Sequence, residues 1–182
     1  MRIQPLIVYS FLFLCLNTIA CISSEELKAL NTSGSLKLSK SYLEGSYFND
    51  EVDSSDVRLW SILSESYPGK LKIHQTRDSS YVKLELLTSN LLNVKLLNTN
   101  NEILDEFNLR GKDDENYFSI KRRLFFLPIP LLFLHFETKS LIGNSIDGNL
   151  VVMHGSANQG WIIFLASGDQ YSKCFKFRKY LH

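Results

Sequence analysis

The sequence predicts an all-β domain, an antiparallel meander closed as a barrel or packed as a sandwich, with about nine or ten strands and one short helix after the first strand. Three observations carry this. Beyond Gly69, apolar and polar residues alternate with a period of two, as in Tyr81-Val82-Lys83-Leu84-Glu85-Leu86 and Leu92-Asn93-Val94-Lys95-Leu96. Polar clusters such as Thr88-Ser89-Asn90 and Arg110-Gly111-Lys112-Asp113-Asp114 punctuate these runs as turns. No strand–helix–strand rhythm is present, which excludes a parallel α/β sheet.

In chain order, residues 21–41 are Ser, Glu, Lys, Asn and Gly with scattered leucines. A helical turn over 25–30 is possible there, but the composition favours a tether. Tyr42 to Phe48 is the first strand. Val57, Trp60 and Leu63 recur at helical spacing after Ser54, Ser55 or Asp56 as N-cap, and Tyr67-Pro68-Gly69 stops the helix. Its apolar face is expected to plug or lid the sheet. Strands follow over 71–75, 81–86, 92–96, 103–109 and 117–120. Asp147-Gly148 marks a hairpin, and 149–154, 160–166 and 171–180 complete the set.

The run from Leu124 to Phe136 breaks the alternation. It is apolar apart from His135, carries Pro128 and Pro130, and follows Lys121-Arg122-Arg123. It is too short to span a bilayer. The prolines place it at a corner or edge between two strands, with burial on both faces as the simpler expectation. The other is a segment dipping into lipid with the three cations at the headgroups.

Composition sets further limits. Lys and Arg number 20 against 19 Asp and Glu. Such balance argues against nucleic acid, which a basic surplus would serve. At 45% hydrophobic and 12% aromatic residues the chain has material for a packed core. Its length after residue 20 suits a single domain over 42–182.

Residues 1–20 have the anatomy of an export signal: Arg2, an apolar stretch from Pro5 to Leu16, and small residues before Cys21. Thr18-Ile19-Ala20-Cys21 resembles the lipobox of bacterial lipoproteins. That resemblance implies removal of 1–20 and acylation of Cys21. It places the protein in a bacterial cell envelope, lipid-anchored at an outer membrane on its periplasmic or surface face. An ordinary secretory signal is the alternative. Cys174 is then the sole remaining thiol, read as a small buried hydrophobe.

Leu43-Glu44-Gly45-Ser46-Tyr47-Phe48 resembles the first-strand signature of lipocalins, with Tyr47 in the tryptophan position. That resemblance implies a meander barrel that holds apolar ligands. Tyr47, Trp60, Phe118, Phe133 and Trp161 are the candidate lining of such a cavity. The second hypothesis is a protein-interaction, scaffold or inhibitor module that docks through residues 124–136. Neither a cofactor nor catalysis is indicated: the four histidines have no metal-ligand spacing, and no G-x-S-x-G or phosphate loop occurs. The mature protein is expected to show, by intact mass, loss of residues 1–20 and added acyl chains. Cys21→Ala should abolish both changes.

Overall fold

The alternating runs become antiparallel strands in a computed structural model, which describes residues 22–31, 43–53, 56–69, 80–114, 116–129, 132–162 and 165–181. Among the described residues the strands are β1 (Gly45–Glu51), β2 (Tyr81–Thr88), β3 (Leu91–Leu97), β4 (Ile103–Asp114), β5 (Tyr117–Ile120), β6 (Arg123–Ile129), β7 (Leu132–Asn144), β8 (Leu150–Ile162) and β9 (Leu165–Tyr180). Two short helices accompany them, α1 (Ser24–Ala29) and α2 (Leu59–Glu65). The strand expected over 71–75 lies outside the described residues.

Neighbouring strands pair in the order β5-β4-β3-β2-β1-β9-β8-β7-β6, and β5 also pairs with β7. That last pairing closes eight strands into a barrel and leaves β6 as an extra strand. The fold class is therefore all-β, and the choice between barrel and sandwich falls to the barrel.

The period of two explains which residues fill it. Cross-strand partners Leu84, Val94 and Phe107 share one face of β2, β3 and β4, and Phe118, Ile142, Val152 and Phe175 share one face of β5, β7, β8 and β9. All belong to one buried cluster with Tyr47 and Phe177. Helix α2, which follows β1 as expected, adds Leu59, Trp60, Ile62 and Leu63 to that cluster. The Trp60 ring meets Phe107 edge-on at 4.8 Å between centroids.

The helix begins differently from expectation. Arg58, rather than a residue of 54–56, is its N-cap, and its side chain makes no capping bond. The buried Asn49 side chain on β1 replaces that cap. Its Oδ1 accepts the Trp60 N–H at 2.8 Å, and its Nδ2 donates to Ser80 Oγ at 3.0 Å.

Residues 110–114 are likewise strand, not turn, since β4 runs on to Asp114. A Cβ on Gly111 would lie 2.4 Å from the Phe118 ring and 2.6 Å from the Ser119 carbonyl oxygen. Gly111 therefore serves close approach of β4 to β5 rather than chain reversal.

Strand length shapes the remainder. β5 has 4 residues, whereas β7 and β8 have 13 and β9 has 16. Closure uses only Phe118 opposite Ile142 and Ser119 opposite Leu141. The earlier part of β7 continues past this seam, where it takes β6 on one side and the distal half of β8 on the other. The distal parts of β6, β7, β8 and β9 thus form a four-stranded arm beyond the closure.

The segment read as a tether is partly docked. α1 carries the expected helical turn, with Ser23 Oγ accepting the Glu25 N–H as N-cap. Ile22 and Leu27 are buried outside the barrel against Leu141, Val151, Met153 and Ala157, with Leu30 and Cys174 alongside. Burial pushes the Cys174 thiol pKa up, consistent with an unreactive packing role. Gly155 admits this contact: a Cβ there would stand 2.8 Å from Ile22 Cγ2. Gly155→Val is expected to detach residues 22–31 while the barrel stays folded. Faster amide exchange confined to α1 would report it, and exchange unchanged from wild type would contradict this account.

Candidate functional site

The arm exposes what a water-soluble sheet usually covers. On β6, Leu124 and Phe125 are each 52% exposed and Phe126 is 41% exposed. Consecutive strand residues face opposite sides, so both faces of β6 are apolar and open. Leu134, Ile162 and Leu165 extend the apolar surface along the arm. This corrects the expectation of burial on both faces for β6, whereas Phe133 and His135 on β7 are buried. The strand pair exists, but it stands outside the barrel because the seam at β5 ends before it. Pro128 sits in β6 opposite Phe133. A proline is tolerated there because β6 is the sheet's edge and one side of its backbone needs no partner.

Charges gather where the arm leaves the barrel. Arg122 Nε lies 2.8 Å from the fully buried Glu137 carboxylate, and His135 Nε2 lies 3.8 Å from it. Arg123 donates to the carbonyl oxygens of Glu65 and Tyr67 at 3.1 and 3.3 Å, and its guanidinium stands over the Phe136 ring. These bonds tie the root of β6 to the C-terminal end of α2. Beyond this root the chain carries no formal charge from Leu124 to Phe136, nor from Gly155 to Gly168.

A polar chain closes the barrel end beneath the arm. Glu65 Oε2 is 3.0 Å from His154 Nε2, His154 Nδ1 is 2.7 Å from Ser140 Oγ, and Ser140 Oγ is 3.5 Å from Ser66 Oγ. Carboxylate, imidazole and hydroxyl stand in the order that acyl-transfer enzymes use. Here Ser140 is 0% exposed and His154 1%, so the hydroxyl offers no face to a substrate carbonyl. The arrangement latches α2 to β7 and β8. No spacing in the sequence could reveal it, because its members come from three distant elements.

The five candidate ligand residues divide between two places. Tyr47, Trp60 and Phe118 are packed within the barrel core. Tyr47 Oη donates to the Leu43 carbonyl and accepts from Asn144 Nδ2, so its polar end is satisfied inside the protein. Phe133 lies on the arm against Phe126, and Trp161 stands opposite Phe133 in the β7–β8 register. Phe133 thus does not join Tyr47, Trp60 and Phe118 in the core. Cys21, the candidate lipid site, lies outside the described residues.

No protein-family model matches the chain, and searches of curated proteins and of solved structures return no match. Replacing His154 with Leu should cost about 1–3 kcal/mol, because it leaves the buried Ser140 hydroxyl only the long 3.5 Å contact with Ser66. Glu65→Ala strands the buried His154 ring nitrogen in its turn and should also cost about 1–3 kcal/mol. Urea denaturation of both variants checks this, and either variant as stable as wild type would refute the latch.

Proposed function

We propose that this protein is a lipid-anchored, non-enzymatic envelope protein whose arm inserts into the surface of an anionic membrane. The observation that carries the reading is the exposure of Leu124, Phe125 and Phe126 in succession. An apolar surface on one face would suit a flat protein partner. Apolar surface on both faces suits an occupant that surrounds the arm, and fluid lipid does so without needing a complementary cleft. Each of these half-exposed side chains would contribute on the order of 1 kcal/mol on entering lipid.

Charge supports the same occupant. Lys121, Arg122 and Arg123 precede the uncharged stretch, at the depth where headgroups would lie. At 7 residues β6 is too short to cross a bilayer, so the contact would be interfacial. Acylation at Cys21 would supply the second signal that stable anchoring requires. The barrel interior, occupied by Tyr47, Phe107, Phe118 and Phe177, gives less support to storage of an apolar ligand inside.

The test uses the mature protein with Cys21→Ala, which removes the acyl contribution. Leu124→Asp with Phe126→Asp should lower partition onto phosphatidylglycerol-containing vesicles at least tenfold, without lowering thermal stability. Vesicle binding unaffected by the two aspartates would reject membrane insertion. If the same variant also lost a specific protein partner, a docking module would replace it.

A further inference from the structure

A second surface lies on the outer wall of the barrel, beside the seam. It is a groove of about 640 Å³ lined by Arg110, Lys112, Lys121, Arg122 and Lys139. No carboxylate lines it among the described residues. The chain as a whole carries a formal charge of only +1, so five cations around one groove are a local concentration and not a general trend.

The fold sets these cations side by side. Lys112 stands opposite Ser119 across β4 and β5. The Lys121 N–H donates to the Arg110 carbonyl at 2.7 Å, which makes those two residues neighbours. Lys139 comes two residues before Leu141, the partner of Ser119. Like charges that adjoin across strands repel and destabilise a sheet. Elsewhere this protein answers that problem with an acid. Lys83 and Lys95 stand opposite one another on β2 and β3, and Glu85 meets both, at 2.7 and 2.8 Å. The two lysines hold the Glu85 carboxyl pKa below its usual value. In the groove only Arg122 has such a partner, Glu137. Arg110, Lys112, Lys121 and Lys139 make no ion pair among the described residues.

We infer that the groove binds the phosphate of an anionic lipid headgroup. Guanidinium and ammonium donors around one concavity suit a phosphate's several acceptor oxygens. The Ser119 hydroxyl and the Asn90 amide on the same walls add neutral donors. Two placements make the source a lipid. Arg122 belongs both to the groove and to the root of the apolar arm, so one molecule can meet both with headgroup and tail. Ser24 also lines the groove, and three peptide units join it to residue 21, a span of at most roughly 11 Å. Acyl chains on Cys21 would therefore hold this groove at the bilayer surface.

This inference rests on the membrane-facing reading of the arm, and the experiment separates the two. The mature protein with Cys21→Ala is compared with Lys112→Gln/Lys121→Gln/Lys139→Gln and with Leu124→Asp/Phe126→Asp. Vesicles of phosphatidylcholine alone and of phosphatidylcholine mixed with phosphatidylglycerol serve as membranes. Water-soluble dihexanoyl phosphatidylglycerol and inorganic phosphate serve as single-molecule probes. The lysine variant should lose roughly a hundredfold in affinity for the anionic vesicles, keep its affinity for neutral ones, and lose the short-chain lipid. The aspartate variant should keep the short-chain headgroup contact and lose the neutral vesicles. Affinity of the lysine variant for anionic vesicles equal to wild type would overturn the groove while leaving the arm standing. Inorganic phosphate binding as tightly as the short-chain lipid would overturn the lipid source.

Discussion

Everything distinctive in this fold depends on the short seam between β5 and β7. Four residues of β5 meet a strand of thirteen, and only two residue pairs join them. Phe118 makes so brief a seam sufficient. It is fully buried, faces Ile142 across the junction and fills the space that Gly111 leaves open. Close-packed contacts of this kind hold a closure that few hydrogen bonds would secure. Because closure ends so early along β7, the remaining length of β7, β8 and β9 has nowhere to go but outward. The arm is the geometric remainder of a barrel whose strands are unequal.

Two surfaces of opposite character follow from the same junction. Beyond the seam, β6 has no barrel interior to bury against and exposes apolar side chains on both faces. Beside it, the outward residues of β4 and β7, with Lys121 just past β5, bring cations together. Arg122 links the two, since it anchors to Glu137 at the root of the arm and lines the groove. Only this adjacency would let one amphiphile meet both surfaces at once. Tail-like and headgroup-like chemistry are side by side because one short strand ends between them.

Much of this was legible in the sequence. The period-two runs located β2, β3 and the later strands, Asp147-Gly148 marked the β7–β8 hairpin, and the Val57–Trp60–Leu63 spacing found α2. At that hairpin Gly148 has a φ of +79°, which a side chain rarely adopts. Other features escaped because their causes are tertiary. Gly111 reads as a turn residue until Phe118 is seen against it. Composition suggests a solvated spacer at residues 22–31, yet Ile22 and Leu27 find an apolar patch formed by side chains at least 90 positions away. Lys121 stands out beside Arg122 and Arg123, but Lys112 and Lys139 are unremarkable in sequence, since only strand register brings them to it. Residues 124–136 stood out as apolar, but whether such a stretch is core or surface is decided by where a distant strand stops.

Pro128 has a consequence for the protein in company. A sheet edge with unpaired N–H and C=O groups is a template for another chain's edge, and tethering to a membrane would crowd such edges together. β6 is that edge here, with exposed leucine and phenylalanines to strengthen any mispairing. A proline in it withholds a donor from the ladder a neighbour would need. Arg122 and Arg123 at its start add charge repulsion between identical copies. The arm can therefore keep its apolar surface exposed while discouraging the growth of a continuous sheet from molecule to molecule.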